Sequence, residues 1–161
     1  MKTGLTTLRK LIADKGLKRK SVVLVGGTFD LLHSNHINFL EQSKDFGDIL
    51  VVGITSDTNV SKRKGKTRPV QSQKERARIV SALKPVDFVF ISNLSAYNNK
   101  IISMLNPSVV VFSLDGAKKL HRKKYKRKIE KSFPTVQVKI VDTVGRLSTS
   151  AIIDKILKLN K

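Results

Sequence analysis

Residues 26–36 read Gly-Gly-Thr-Phe-Asp-Leu-Leu-His-Ser-Asn-His, so two histidines three apart stand where a helical segment should begin. The glycines let the backbone turn sharply and approach a phosphate closely, and a helix N-terminus offers unpaired N–H groups with positive partial charge. Imidazoles that donate hydrogen bonds or carry a proton add charge complementarity. Alone, His33 and His36 could merely cap the helix and fill space. At the end of a first strand they are read as functional. No third ligand accompanies them, so no metal site is assigned.

Two other segments suit phosphates. Lys62-Arg63-Lys64-Gly65-Lys66-Thr67-Arg68-Pro69-Val70 is read as a flexible basic loop after a second strand, able to close over phosphates and shield developing charge. Glu75 and Arg76 could cap or pair within the helix that follows, around residues 72–83. Near the end, Gly145-Arg146-Leu147-Ser148-Thr149-Ser150 opens a last helix from Ala151 to Leu159. Ser148 or Thr149 would make an ordinary N-cap, but one cap does not require three hydroxyls after Gly-Arg. Three phosphate-suited segments suggest a nucleoside triphosphate, although neither a Walker P-loop nor a G-x-G-x-x-G fingerprint is present.

The elements that must position these residues follow from short β-rich runs at Val22–Val25, Ile49–Val52, Phe88–Ile91, Val109–Phe112 and Val136–Val141, with segments of helical length between them. The first four runs are nearly continuous in apolar residues, as strands covered on both faces are. Strict alternation of strand and helix predicts a single doubly wound, Rossmann-like α/β domain with a mostly parallel five-stranded sheet and helices on both faces. Ligands then bind at the strand C-terminal ends, in the loops after residues 26, 54, 91, 114 and 141. Leu5, Leu8, Leu11 and Ile12 predict an amphipathic leading helix, so residues 1–20 are read as helix and basic linker and residues 21–161 as the domain.

Composition narrows the class. In 161 residues, 32 Lys plus Arg face 12 Asp plus Glu, a formal charge of +20, and 40 % of the chain is hydrophobic, enough for one sizeable core. The excess lies almost wholly in residues 1–20, 62–78 and 118–131. The last of these opens a polyanion role: Leu120, Tyr125, Ile129 and Phe133 would face the core while nine bases project outward for weak, salt-sensitive nucleic-acid binding. There is no cysteine, which excludes a disulfide framework, a thiolate nucleophile and a cysteine zinc site. No apolar run approaches the roughly 18 residues of a spanning helix, and Met-Lys-Thr-Gly lacks a signal peptide's apolar stretch, so a cytoplasmic protein without a membrane partner is expected.

Gly27-Thr28-Phe29-Asp30 with His33-x-x-His36 resembles the G-T/C-F-D-x-x-H-x-G-H signature of the cytidylyltransferase-like nucleotidyltransferases, and Ser148-Thr149-Ser150 resembles their distal S-T-T/S motif. Gly47 to Gly53, Ser56-Asp57, Lys64-Gly65, Arg68-Pro69-Val70, Glu75-Arg76, Ala82 to Asp87 and Ser148 to Ile153 extend a similarity to the heptose 1-phosphate adenylyltransferases.

The resemblance implies that a phosphate oxygen of an acceptor, such as a sugar 1-phosphate, attacks the α-phosphorus of an NTP in line and expels pyrophosphate. Such an acceptor is already an oxyanion near neutral pH, so catalysis reduces to positioning and charge stabilisation. By resemblance His33, His36 and Lys64 are catalytic, while Gly27, Thr28, Phe29, Asp30, Ser148, Thr149 and Ser150 bind the nucleotide. Arg68, Arg76, Asp115 and Arg146 are candidate substrate contacts. Mg2+ would be held mainly by the NTP phosphates. AMP transfer is favoured. CTP-dependent transfer to glycerol phosphate or a similar alcohol phosphate, FAD synthesis of the archaeal type, and an inactive scaffold binding nucleic acid stay open. Homodimerisation is also common in such enzymes. Three departures stand out. Asn35 replaces the usual Gly and would add a side chain against the nucleotide. The approach to Ser148 is one residue longer. Phe112-Ser113-Leu114-Asp115-Gly116 keeps only the Asp of Lys-Gly-Gly-Asp-Tyr.

Overall fold

The computed structural model describes residues 8, 10, 19–114, 119–142 and 147–159, with the side chains of 119–121 undescribed. The elements run β1 (Val22–Gly27), α1 (Ser34–Lys44), β2 (Ile49–Thr55), α2 (Asp57–Lys64), α3 (Gln73–Ser81), β3 (Phe88–Ser92), α4 (Asn99–Leu105), β4 (Val109–Leu114), α5 (Lys119–Ser132), β5 (Gln137–Asp142) and α6 (Thr149–Leu159). All five strands are parallel, in the order β3-β2-β1-β4-β5, which is the expected doubly wound sheet.

Alternate residues of each strand point to opposite faces, and both faces are covered. Leu24, Val51, Val110 and Phe112 pack with Ile101 and Leu105 of α4 and Ile129 of α5. Val23, Val25, Leu50 and Val111 pack with Phe39 and Leu40 of α1 and Ala77 and Val80 of α3. This two-sided burial is why the strands read as unbroken apolar runs. Leu8, in a helical conformation, is fully buried in the first cluster. The rest of the predicted leading helix lies outside the described residues.

Chain order reverses between β1 and β4. β1 pairs with β2 along its full length, but with β4 only at Val23 and Leu24. The two strands part beyond that point, and the Tyr97 hydroxyl enters the gap. It accepts from the Gly26 N–H at 2.9 Å and lies 2.9 Å from the Val111 carbonyl and 3.1 Å from that of Gly26, to either of which it can donate. Burial pushes the phenol pKa up to about 12, so it stays protonated and able to donate. Gly26 and Gly53 carry no side chain because Ala96, beside Tyr97, packs onto them: an added Cβ would come within 2.4 Å and 2.7 Å of its methyl carbon. Replacing Tyr97 by Phe leaves a buried N–H and a carbonyl unpaired and is expected to lower stability by about 1–3 kcal/mol in urea denaturation. A loss below about 0.5 kcal/mol would contradict this account of the gap.

The basic run after β2 differs from the expected flexible loop. Residues 57–64 are helical, with Lys62, Arg63 and Lys64 in the last turn, where cations complement the helix dipole. The chain turns only at Gly65, with φ at 97°. α3 opens with a capping box, the Ser72 hydroxyl accepting from the Glu75 N–H and the Glu75 carboxylate from the Ser72 N–H, as foreseen for Glu75. On α5, Ile129 is buried and Phe133 beyond its end packs on the core, but Tyr125 is 37 % exposed. No helix among the described residues is long and apolar enough to cross a membrane.

Candidate functional site

A crevice of about 540 Å³ opens at the C-terminal ends of the strands, at the point where chain order reverses. Helices from both faces of the sheet wall it. From one side come Thr28, Phe29, Asp30 and His36, with Arg63 and Lys64 of α2; from the other come Ser95 to Tyr97, Phe112, Ser113, and Arg122 and Tyr125 of α5.

The turn after β1 is bent by residues that ordinarily avoid such backbone. Phe29 and Leu31 have φ of 51° and 44°, left-handed values that cost a bulky residue on the order of 1–2 kcal/mol each. The surroundings hold the turn in this form. Asp30 is 1 % exposed, and its carboxylate accepts from the Arg68 guanidinium at 2.7 and 3.0 Å and from the backbone N–H groups of Val70 and Gln71 at 3.1 Å. Burial alone would push its pKa up; the bonds from Gln71, Val70 and Arg68 outweigh it and hold the pKa below the ordinary carboxylate value.

Arg76, a candidate substrate contact by sequence, is instead fully buried and absent from the crevice walls. Its guanidinium donates to the carbonyls of Gln71, Thr28 and Thr55 and to the Asp57 carboxylate. Arg68 likewise spends its guanidinium on Asp30. Both arginines tie the loops after β1 and β2 to the start of α3, so they shape the crevice from behind.

His33 occupies the N-cap position of α1 with no side-chain bond onto the first-turn amides, which leaves that helix end uncapped by protein. Its ring stacks on His36 with centroids 3.8 Å apart, and Phe29 leans on His36 at 5.2 Å. Neither Nδ1 has a hydrogen-bond partner among the described residues. Burial, then the neighbouring His33 and Lys64, lower the His36 pKa to about 4, so the imidazole is neutral near pH 7 and presents one N–H donor. Burial also lowers the His33 pKa. Arg63 donates to the Thr28 hydroxyl at 2.9 Å, leaving that hydroxyl's own proton to be donated.

Of the distal hydroxyls, Ser148 accepts from the Ala151 N–H at 3.1 Å, the ordinary cap. Buried Thr149 lines the crevice and donates to the Asp30 carbonyl, and Ser150 is exposed. Asn35 does not reach into the crevice. Its Nδ2 donates to the Leu147 carbonyl at 2.7 Å, joining α1 to the approach of α6. Asp115 and Arg146 lie outside the described residues. Arg63 and Phe112 fall within segments marked from the sequence, whereas Tyr97, Arg122 and Tyr125 were not singled out as site residues; the usable signal was that the loops after residues 91 and 114 end parallel strands.

A switch-point crevice with a glycine turn, His36 and a cationic helix end defines a Rossmann-like α/β protein with a site suited to an anion. Residues 24–155 match the Cytidylyltransferase-like family, and the chain belongs to it. A bifunctional protein HldE from Geobacter sulfurreducens is 37 % identical over 159 residues, covering 96 % of this chain and 31 % of its own length. An FAD synthase from Thermococcus sibiricus is 44 % identical over 98 residues, 61 % of this chain and 66 % of the relative. The crystal structure of a lipopolysaccharide core biosynthesis protein from Thermoplasma volcanium matches with a TM-score of 0.64 and 26 % identity, over 78 % of this chain and 99 % of that one. The chain spans about 31 % of the length of the bifunctional relative.

Proposed function

We propose that the protein transfers a nucleotidyl group, AMP by preference, from an NTP to a small phosphorylated acceptor such as a sugar 1-phosphate. The observation that carries this reading is the convergence of neutral His36 from the first turn of α1 with Arg63, Lys64 and Thr28 on one crevice. An acceptor phosphate oxygen forms the new bond to the α-phosphorus while the bond from that phosphorus to the bridging oxygen breaks, and pyrophosphate leaves with the electron pair. His36 and Lys64 face the charge that gathers on the departing oxygens. A half-buried, neutral imidazole donates with less solvation to displace than an exposed one, which strengthens the bond in the transition state.

A divalent cation suits this donor set only as a companion of the NTP. The carboxylate in the crevice wall, Asp30, is committed to Arg68 and two backbone amides. No group of three His, Asp or Glu side chains that could hold a metal occurs among the described residues. Phosphate oxygens and water would therefore ligate Mg2+, which keeps several waters by preference. The ion would neutralise charge on the triphosphate.

The test is pyrophosphate release by the full chain with Mg2+ and either ATP or CTP, across sugar 1-phosphates, glycerol phosphate and FMN. Release with ATP and a sugar phosphate is expected. Preference for CTP with glycerol phosphate would shift the reading to a cytidylyltransferase, and failure to bind or turn over any NTP would end it. Lys64→Met is expected to lower kcat/KM roughly 100-fold, the scale of removing one preorganised charge from a reacting phosphate. An unchanged kcat/KM would remove Lys64 from this role.

A further inference from the structure

The geometry points to a second anion subsite in the crevice, built on Arg122, that takes the phosphate monoester of the acceptor. The inference rests on the proposed reaction and deepens it. The triphosphate-suited groups come from helices on the α1 and α3 face of the sheet or from α2. Arg122 comes from α5, on the opposite face, and enters the same crevice. Its guanidinium lies over the Phe112 ring, 5.2 Å from the centroid, a cation–π contact that uses none of its N–H groups.

The charge balance around it is unresolved within the described residues. The Arg122 Nε is shielded from solvent and has no hydrogen-bond partner there, and no carboxylate pairs with the side chain. Among the described residues of the crevice wall the carboxylate, Asp30, is already held by Arg68. An always-ionised group kept beside a ring with a buried, unpaired donor is stabilised by a planar or tetrahedral oxyanion that takes its fork, as a phosphate monoester does. Arg122 is also close enough for its charge to act on the Tyr97 hydroxyl, which bridges Gly26 and Val111. The subsite therefore adjoins the glycine turn.

The chain has two tyrosines, both in this wall, and no tryptophan, so its intrinsic emission reports on the subsite. Inorganic phosphate titrated into the full chain is expected to change tyrosine emission saturably, and Arg122→Gln should weaken that binding roughly tenfold or more while Arg122→Lys recovers part of it. In turnover, R122Q should raise the acceptor KM by a similar factor and leave the NTP KM within about twofold, the split expected when one substrate alone loses a contact. Phosphate binding that R122Q leaves intact, or an NTP KM that rises as much as the acceptor KM, overturns the subsite. Arg122-dependent phosphate binding in a chain that releases no pyrophosphate from any NTP would uphold the subsite and end the transfer reading instead.

Discussion

Replacing His36 with alanine is expected to lower the turnover of pyrophosphate release by about 100- to 1000-fold, the range for removing one preorganised donor aimed at developing charge. The same change should cost stability little, about 1 kcal/mol or less, because the imidazole leaves a buried Nδ1 without a partner and its loss removes that unmet donor or acceptor. Parallel measurement of kinetics and urea denaturation decides the matter. Equal losses in both would make His36 a packing residue.

The pH dependence of stability is a separate readout. The folded pKa of about 4 lies below the ordinary 6.5, so between these values the unfolded chain binds more protons than the folded one. Stability is then full above about pH 6.5 and falls as the pH drops towards 4, by on the order of 3 kcal/mol. His36→Gln should flatten that slope. Asp30 acts in a lower window. Its carboxyl is held below the ordinary 3.8, so its contribution is present above that value and is lost as the pH falls further. A wild-type curve no steeper than that of H36Q between pH 6.5 and 4 would remove the neutral His36 imidazole from the account.

Arg76→Met should have the largest effect on stability, a loss of about 3 kcal/mol or more, because truncating one partner of a buried hydrogen-bonded charge strands all the others. Three backbone carbonyls, from Thr28, Thr55 and Gln71, lose their donor at once, and Asp57 loses its cation. Arg76→Lys should recover little, since one ammonium cannot span four acceptors in the geometry of a planar fork. Asp57→Asn should cost much less, as that side chain is 40 % exposed and water can serve it. Denaturation midpoints of the three variants give the ranking. A loss under about 1 kcal/mol for R76M would mean the loops after β1 and β2 are held by something else.

Much of this protein was legible before folding was considered. Val22–Val25, Ile49–Val52 and Val109–Phe112 are apolar at every position because a doubly covered parallel strand has no solvent face, so they declare the sheet type. The Ser72 and Glu75 spacing declares a helix start. Gly27 to Asp30 with His33 and His36 declares a turn into a helix end, because the chemistry and the backbone requirement lie within a dozen residues. Such local features depend on neighbours in the chain, and sequence determines them by itself.

The sign of a charge was equally legible, but its partner was not. Among the basic residues after β2, Lys64 and Arg63 turn to the crevice, Arg68 turns to Asp30, and Arg76 is sealed beneath three loops. Nothing local separates them, since each partner is set by which loop the sheet brings alongside. Tyr97 looks like any loop tyrosine until β1 and β4 part and leave a gap at Gly26 and Val111. Arg122 looks like one base among nine until α5 lies over Phe112. Parallel strands carry residues far apart in the chain to one edge of the sheet, and only there do burial and hydrogen bonding assign each side chain to the fold or to the crevice.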